Sequence, residues 1–116
     1  MAARLLLVED EPALADLLKK YLERLGYEVE SSGSAEDALA LFDADPSRYA
    51  LVLADLTLPG MNGDDMIEQM RLRRAGLRAI LSSGYPHRPR SGQTGFLQKP
   101  FVPKMLAEMI EKKLKP

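Results

Sequence analysis

Two short apolar runs that stop at acidic residues constrain this chain more than anything else in it. Leu5-Leu6-Leu7-Val8 leads straight into Glu9-Asp10, and Ala50-Leu51-Val52-Leu53-Ala54 leads straight into Asp55. Each run is continuous rather than alternating, and a turn or helix signal follows it. A strand reads this way when both of its faces are covered, as in a parallel sheet. Open parallel sheets bind ligands outside the carboxyl ends of their strands. If these two strands are neighbours, three carboxylates meet in one small space. Like charges so gathered are unfavourable unless a cation neutralises them.

The rest of the chain alternates helix and strand signals. Pro12 suits the first turn of a helix, where its missing N–H removes no bond. Leu14, Leu17, Leu18, Tyr21, Leu22 and Leu25 then fall on one face, and Gly26 ends the helix. Residues 27–31 form a short second strand. Ser34 caps a second helix with Glu36 and Asp37 in its first turn, Ala38, Leu39 and Phe42 continue it, and Pro46 stops it. Residues 50–54 are the third strand. A loop over 56–63 follows, with Pro59-Gly60 as its turn. The third helix turns Met66, Ile67 and Met70 inward and ends at Gly76. Residues 79–81 and 96–98 are the fourth and fifth strands. Pro103 opens a last helix with Leu106, Met109, Ile110 and Leu114 on its buried side. This alternation predicts an α/β fold, a doubly wound five-stranded parallel sheet. One stretch breaks it. Residues 85–95 hold two prolines, two glycines, two arginines and no aliphatic side chain. A helix expected between the fourth and fifth strands is therefore short or replaced by a loop.

Length and composition bound the function. The 116 residues make one domain, spanning 1–116. A net charge of −1 gives no footprint for nucleic acid. The absence of cysteine excludes disulfides and thiolate metal sites. No apolar stretch is long enough to span a bilayer. The N-terminus enters the first strand too soon for a secretory signal, so a soluble, cytoplasmic protein is expected, with no nucleic-acid or membrane partner.

The acids share their edge with other chemistry. Ser82 ends the fourth strand, and Lys99, followed by Pro100, ends the fifth. Two acids, one acid, a hydroxyl and an ammonium are the groups needed to transfer a phosphoryl group to a carboxylate. Magnesium favours carboxylate, carbonyl and water oxygens and commonly bridges to phosphate. Phosphoryl transfer asks mainly for positioning and for neutralisation of the equatorial oxygens, which magnesium, Lys99 and Ser82 could share. Asp55 is alone on its strand and faces the hydroxyl and the lysine, so it is the expected nucleophile. Glu9 and Asp10 form the metal pocket, and Thr57 is placed to offer its main-chain carbonyl. Taken singly, each of these residues is ordinary: an acid after a strand commonly caps a turn or a helix. Their convergence on one edge favours a functional reading.

These motifs resemble the receiver domain of bacterial two-component response regulators. The resemblance spans essentially the whole chain. It rests on Leu-Leu-Val-Glu-Asp-Glu at 6–11, Asp-Leu-Thr-Leu-Pro-Gly-Met-Asn-Gly at 55–63, Ile-Leu-Ser-Ser-Gly-Tyr at 80–85 and Gly-Phe-Leu-Gln-Lys-Pro-Phe at 95–101. It implies the flavodoxin-like strand order 2-1-3-4-5, which is the family's order rather than one that spacing dictates. It implies that Asp55 is phosphorylated, and that Glu9 and Asp10 bind Mg2+, with Asp10 the direct ligand. Thr57 matches the carbonyl ligand, Ser82 the switch hydroxyl and Lys99 the motif lysine, with a cis bond to Pro100. Phe96 falls at the aromatic switch position, and Thr57 and Gly84 flank the site where the lifetime of the phosphoryl group is set. The implied partner is a histidine kinase or a histidine phosphotransfer protein. The motifs at 80–85 and 96–101 look most like the C-terminal receiver of a hybrid histidine kinase. Three departures stand out: Glu9 for aspartate, Phe96 for tyrosine, and the helix-poor segment 86–95, expected to be a mobile loop.

Other residues carry bland expectations. His87, the only histidine, reads as an exposed loop residue. Arg71, Arg73, Arg74 and Arg78 suit the C-terminal end of a helix and read as solvated. Two rival readings remain. A magnesium-dependent phosphohydrolase with an aspartyl nucleophile would start from Asp55-Leu56-Thr57, but its second acid is replaced by Thr57 and no cap encloses a substrate. A pseudo-receiver, a binding module without the chemistry, would not need every motif position to be chemically competent, as each is here.

Overall fold

The computed structural model describes residues 2–115; Met1 and Pro116, the ends of the expected 1–116 domain, lie outside the described residues. In chain order the elements are β1 (Arg4–Val8), α1 (Pro12–Arg24), β2 (Glu28–Ser32), α2 (Ala35–Ala44), β3 (Leu51–Asp55), α3 (Gly63–Arg73), β4 (Arg78–Ser83), β5 (Thr94–Gln98) and α4 (Pro103–Leu114). All strand pairs are parallel, and the sheet order is β2-β1-β3-β4-β5. Expected and observed topology agree.

The continuous apolar runs are explained by two cores. Successive strand side chains point to opposite faces. Leu6, Val8, Val52, Ala54, Ala79 and Leu81 pack against α2 and α3, whose Ala38, Phe42, Met66, Ile67 and Met70 are buried. Leu5, Leu7, Leu51, Leu53 and Ile80 pack against α1 and α4, through Leu18, Leu22, Leu106 and Ile110. Local signals set the helix starts. The Ser34 hydroxyl accepts the Asp37 amide at 3.1 Å, and the Asn62 side chain accepts the Asp65 amide at 2.8 Å. Gly26, at φ +101°, supplies the left-handed residue that ends the first crossover.

Some sequence expectations are corrected. Leu17 and Leu25 are 57% and 52% exposed rather than inward. At 3.6 residues per turn, Leu17 lies about 100–140° around α1 from Leu18 and Leu22, which carry the contact, while Leu25 falls just past the last helical residue. Helix α3 stops at Arg73, short of Gly76. Arg71 and Arg74 are not simply solvated. Arg71 donates to the Leu77 carbonyl and to Thr94 Oγ1, and Arg74 donates to the carbonyls of Pro46 and Tyr49. Both guanidiniums tie the end of α3 to its surroundings. Between Ser83 and Thr94 there is no helix, as the composition predicts; the segment is an irregular strap of bends and turns.

One glycine fixes how α3 meets β3. A Cβ on Gly63 would lie 2.2 Å from the Asp55 carbonyl oxygen and 3.0 Å from Leu81 Cδ1. The Gly63 amide also donates to the Leu56 carbonyl at 3.0 Å. Gly63→Ala must therefore displace the strand end that carries Asp55. Its expected cost is about 1–3 kcal/mol, the range for overpacking a filled interior. A lower urea midpoint with unchanged slope checks it; an unchanged midpoint refutes the close approach.

Candidate functional site

Strand register brings the acids together. Val8 pairs with Ala54, so Glu9 and Asp55 leave neighbouring strands at the same height. Asp55 pairs in turn with Ser82, and Ser83 with Gln98, which sets Lys99 on the same edge. Main-chain bonds hold these ends: the Glu9 amide to the Ser32 carbonyl at 3.0 Å, Leu56 to Ser82 at 2.7 Å, and Lys99 to Ser83 at 2.7 Å. The Lys99–Pro100 peptide is cis.

The side chains complete the pocket. Glu9 and Asp55 are buried, and Asp10 is exposed. One carboxylate oxygen from each lies within 4.8 Å of the other two. Lys99 Nζ reaches Glu9 Oε1 at 3.1 Å and Asp55 Oδ2 at 3.4 Å. Glu9 Oε2 also accepts the Glu11 amide at 3.1 Å, and Asp55 Oδ1 accepts the Thr57 amide at 3.4 Å. Glu9, Asp55 and Ser82 line a common cavity of about 10 Å³. Beside it, Leu14, Leu17, Lys99, Pro100 and Phe101 border an open groove of about 480 Å³.

The sequence-predicted residues are thus sorted by position. Glu9, Asp10, Asp55, Ser82 and Lys99 converge. Thr57 is exposed beside them, touching Asp55 through its amide. Gly84 is exposed with open space around it. Phe96 is half-buried against the α2–α3 core. His87 departs from expectation. It is half-buried, and its Nε2 lies 2.9 Å from Oδ2 of Asp64. Asp64 was not foreseen: it is 2% exposed, in the first turn of α3. The sequence shows only an acidic helix start there, which the macrodipole explains unaided. Nothing local says that a loop some twenty residues later folds onto it.

Electrostatics divide the pocket unevenly. Burial pushes the Glu9 carboxyl above the usual carboxylate range; the Glu11 amide and Lys99 pull it down, and the Asp55 charge adds to the rise. Burial opposes the Lys99 charge, but the hydrogen bond and charge of Glu9, with those of Asp55, outweigh it and hold the ammonium above the ordinary lysine value. The lysine stays charged, and Glu9 is the carboxylate whose ionisation the fold resists. An all-oxygen donor set of this kind suits a hard divalent cation.

Comparison with known proteins agrees with this geometry. Residues 5–111 match the family model described as the response regulator receiver domain. The chain belongs to that family. It is a receiver domain, homologous to those of response regulators and hybrid kinases. It is 32% identical to the sensor kinase CckA of Brucella abortus (strain 2308) over 96% of this chain. It spans only 13% of that kinase's length. Its fold matches a CheY-like receiver from Methanospirillum hungatei JF-1 with a TM-score of 0.88 and 32% identity, covering 98% of this chain and 94% of the other. The Thermotoga maritima regulator TrrA, solved in complex with the histidine kinase ThkA, matches with a TM-score of 0.85 and 30% identity, covering 97% and 99%. TrrA has also been solved with Mg(2+)-BeF, matching with a TM-score of 0.84 and 29% identity over 96% of this chain and 98% of that one.

A divalent cation that binds only the folded pocket stabilises the fold by mass action, about 2.7 kcal/mol at a hundred times its dissociation constant. Magnesium titration at mildly alkaline pH is therefore expected to raise Tm by several degrees. With Glu9 raised, protonation favours the metal-free fold; that gain is present at low pH and lost as pH rises through the raised value. The magnesium-induced shift should accordingly shrink as the pH becomes mildly acidic. Asp10→Asn, at an exposed position, should abolish the shift without unfolding the protein. A shift independent of pH and of Asp10 would place the cation elsewhere.

Proposed function

We propose that residues 1–116 form one phosphoacceptor receiver unit, in which Asp55 takes a phosphoryl group from a phosphohistidine. The donor is a histidine kinase or a histidine phosphotransfer protein, and the setting is cytoplasmic. The observation that carries this reading is the meeting of Asp55 with Lys99 at 3.4 Å, inside a cluster of three carboxylates. The receiver relatives and the TrrA–ThkA complex support it. The sensor-kinase relative supports a place within a hybrid histidine kinase. Among the described residues, no helix is long and apolar enough to cross a membrane.

The chemistry follows from the side chains. An Asp55 carboxylate oxygen attacks phosphorus, the N–P bond of the phosphohistidine breaks, and the departing imidazole takes up a proton. The product is an acyl phosphate, which water later hydrolyses. Lys99 neutralises one equatorial oxygen, and its pairing with Glu9 aims it before the donor arrives. Ser82, beside Asp55 in register, can hydrogen-bond another. Glu9, Asp10, Asp55 and the Thr57 carbonyl would hold Mg2+. Bound there, it would supply the positive charge that the transferring group needs. The acyl phosphate would then bias an existing equilibrium between two surface states, with Ser82 and Phe96 as the moving groups. The chain is a self-modifying signalling partner rather than a free-standing enzyme.

Incubation with a small phosphoramidate and magnesium is expected to add one base-labile phosphoryl group per chain. Asp55→Asn should abolish the addition, and Lys99→Ala should slow it at least tenfold, the scale of a lost charged contact in the transition state. Intact-mass measurement reads both. Label retained in Asp55→Asn, or sustained turnover of a chromogenic phosphate ester, would replace this reading with a hydrolase or another acceptor.

A further inference from the structure

A third buried acid, outside the pocket of Glu9 and Asp55, is satisfied entirely by the strap that replaces the expected helix. Among the described residues, the Asp64 carboxylate has two partners, His87 Nε2 at 2.9 Å and the Arg90 amide at 3.1 Å, both in the segment between β4 and β5. The neighbouring Asp65 receives the Arg90 guanidinium at 2.5 Å. A basic strap is thus fastened over the acidic start of α3. A carboxylate so buried is costly without such partners, so the strap is held by a definite bond rather than resting loosely. The His87 ring also lies against Phe96, with centroids 6.4 Å apart and planes tilted by 49°.

The fastening closes a ring through the phosphoacceptor site. Asp64 follows Gly63, whose backbone is pressed against the Asp55 carbonyl. The strap begins after Ser83, next to Ser82, which pairs with Asp55 and accepts the Leu56 amide. A movement of Ser82 towards a group on Asp55 pulls one end of the strap, while Asp64 holds its middle to the same strand end. Movement of Ser82 is therefore transmitted along the strap to the bonds on Asp64.

We propose that the contacts of His87 and the Arg90 amide with Asp64 form a clasp that regulates the phosphoacceptor switch, closed before phosphorylation and released by it. This rests on the reading of Asp55 as the acceptor. Closed, the clasp holds His87 over Phe96 and restrains the Ser82 end of β4. Released, it frees the strap and exposes the start of α3. A clasp that favours the unphosphorylated state must, by linkage, weaken the equilibrium binding of a phosphoryl mimic at Asp55.

Amide hydrogen exchange at Arg90 reads the clasp directly. The full chain is compared with Asp64→Asn and with His87→Ala, each with and without magnesium and beryllium fluoride, and fluorine NMR reports whether fluoride is bound. In the unmodified protein the Arg90 amide should be protected, and its exchange should rise at least tenfold once fluoride is bound. Both variants should exchange fast from the start and should bind beryllium fluoride about fivefold more tightly or better. His87→Ala, at a half-exposed position, keeps the test valid if Asn at the buried site unfolds the chain. Unchanged Arg90 protection with fluoride bound, or binding of beryllium fluoride by His87→Ala with parental affinity, overturns the clasp. Absence of bound fluoride together with absence of phosphorylation overturns the reading of Asp55, and the clasp as a regulator falls with it.

Discussion

The repulsion between carboxylates gathered at one sheet edge is the constraint around which this fold is built. Glu9 and Asp55 are both buried, and parallel register holds them at the same height. Their proximity persists because Lys99 reaches both from the end of β5, ninety residues along the chain from Glu9. Burial disfavours the charges of Glu9 and Lys99, and the attraction of carboxylate for ammonium offsets that only with good geometry. The main-chain bonds at the ends of β1, β3 and β5 supply that geometry. Sheet, crossovers and pocket are therefore one problem: the strand order that buries the apolar runs also sets the distances between the acids.

Much of this was legible in the sequence, for identifiable reasons. Continuous apolar runs announce strands covered on both faces, and Ser34, Pro12 and Pro103 mark helix starts by local chemistry. The pocket was legible because strand ends are one-dimensional features: a residue following an apolar run must emerge at the edge. What failed was whatever depends on azimuth or on distant partners. Leu17 and Leu25 have the right spacing for a buried stripe, yet the sheet contacts only the arc around Leu18 and Leu22. Arg71 and Arg74 look like solvated helix-end cations, but carbonyls from other segments capture them. Asp64 and His87 are unremarkable separately, and only folding across more than twenty residues gives them meaning.

The two faces of the sheet are clothed differently. Helices α1 and α4 cover one face, while α2 and α3 share the other with a strap that has no helical hydrogen bonds of its own. Its backbone is held instead by turns and by side chains: Ser83 to the Tyr85 amide, Asp64 to Arg90, Ser91 to Gln93. Such a segment opens with less loss than a helix would. The face that carries Phe96 is thus the more readily rearranged of the two.

The tethered ammonium of Lys99 also fixes a local stoichiometry. With Glu9, Asp10 and Asp55 ionised, three carboxylates face one ammonium, and the pocket lacks two positive charges. That deficit equals the valence of one alkaline-earth ion, so a single such ion brings the pocket to electroneutrality and a sodium or potassium ion leaves it half compensated. The composition of the surrounding electrolyte, and not its concentration alone, then decides whether the pocket rests neutral.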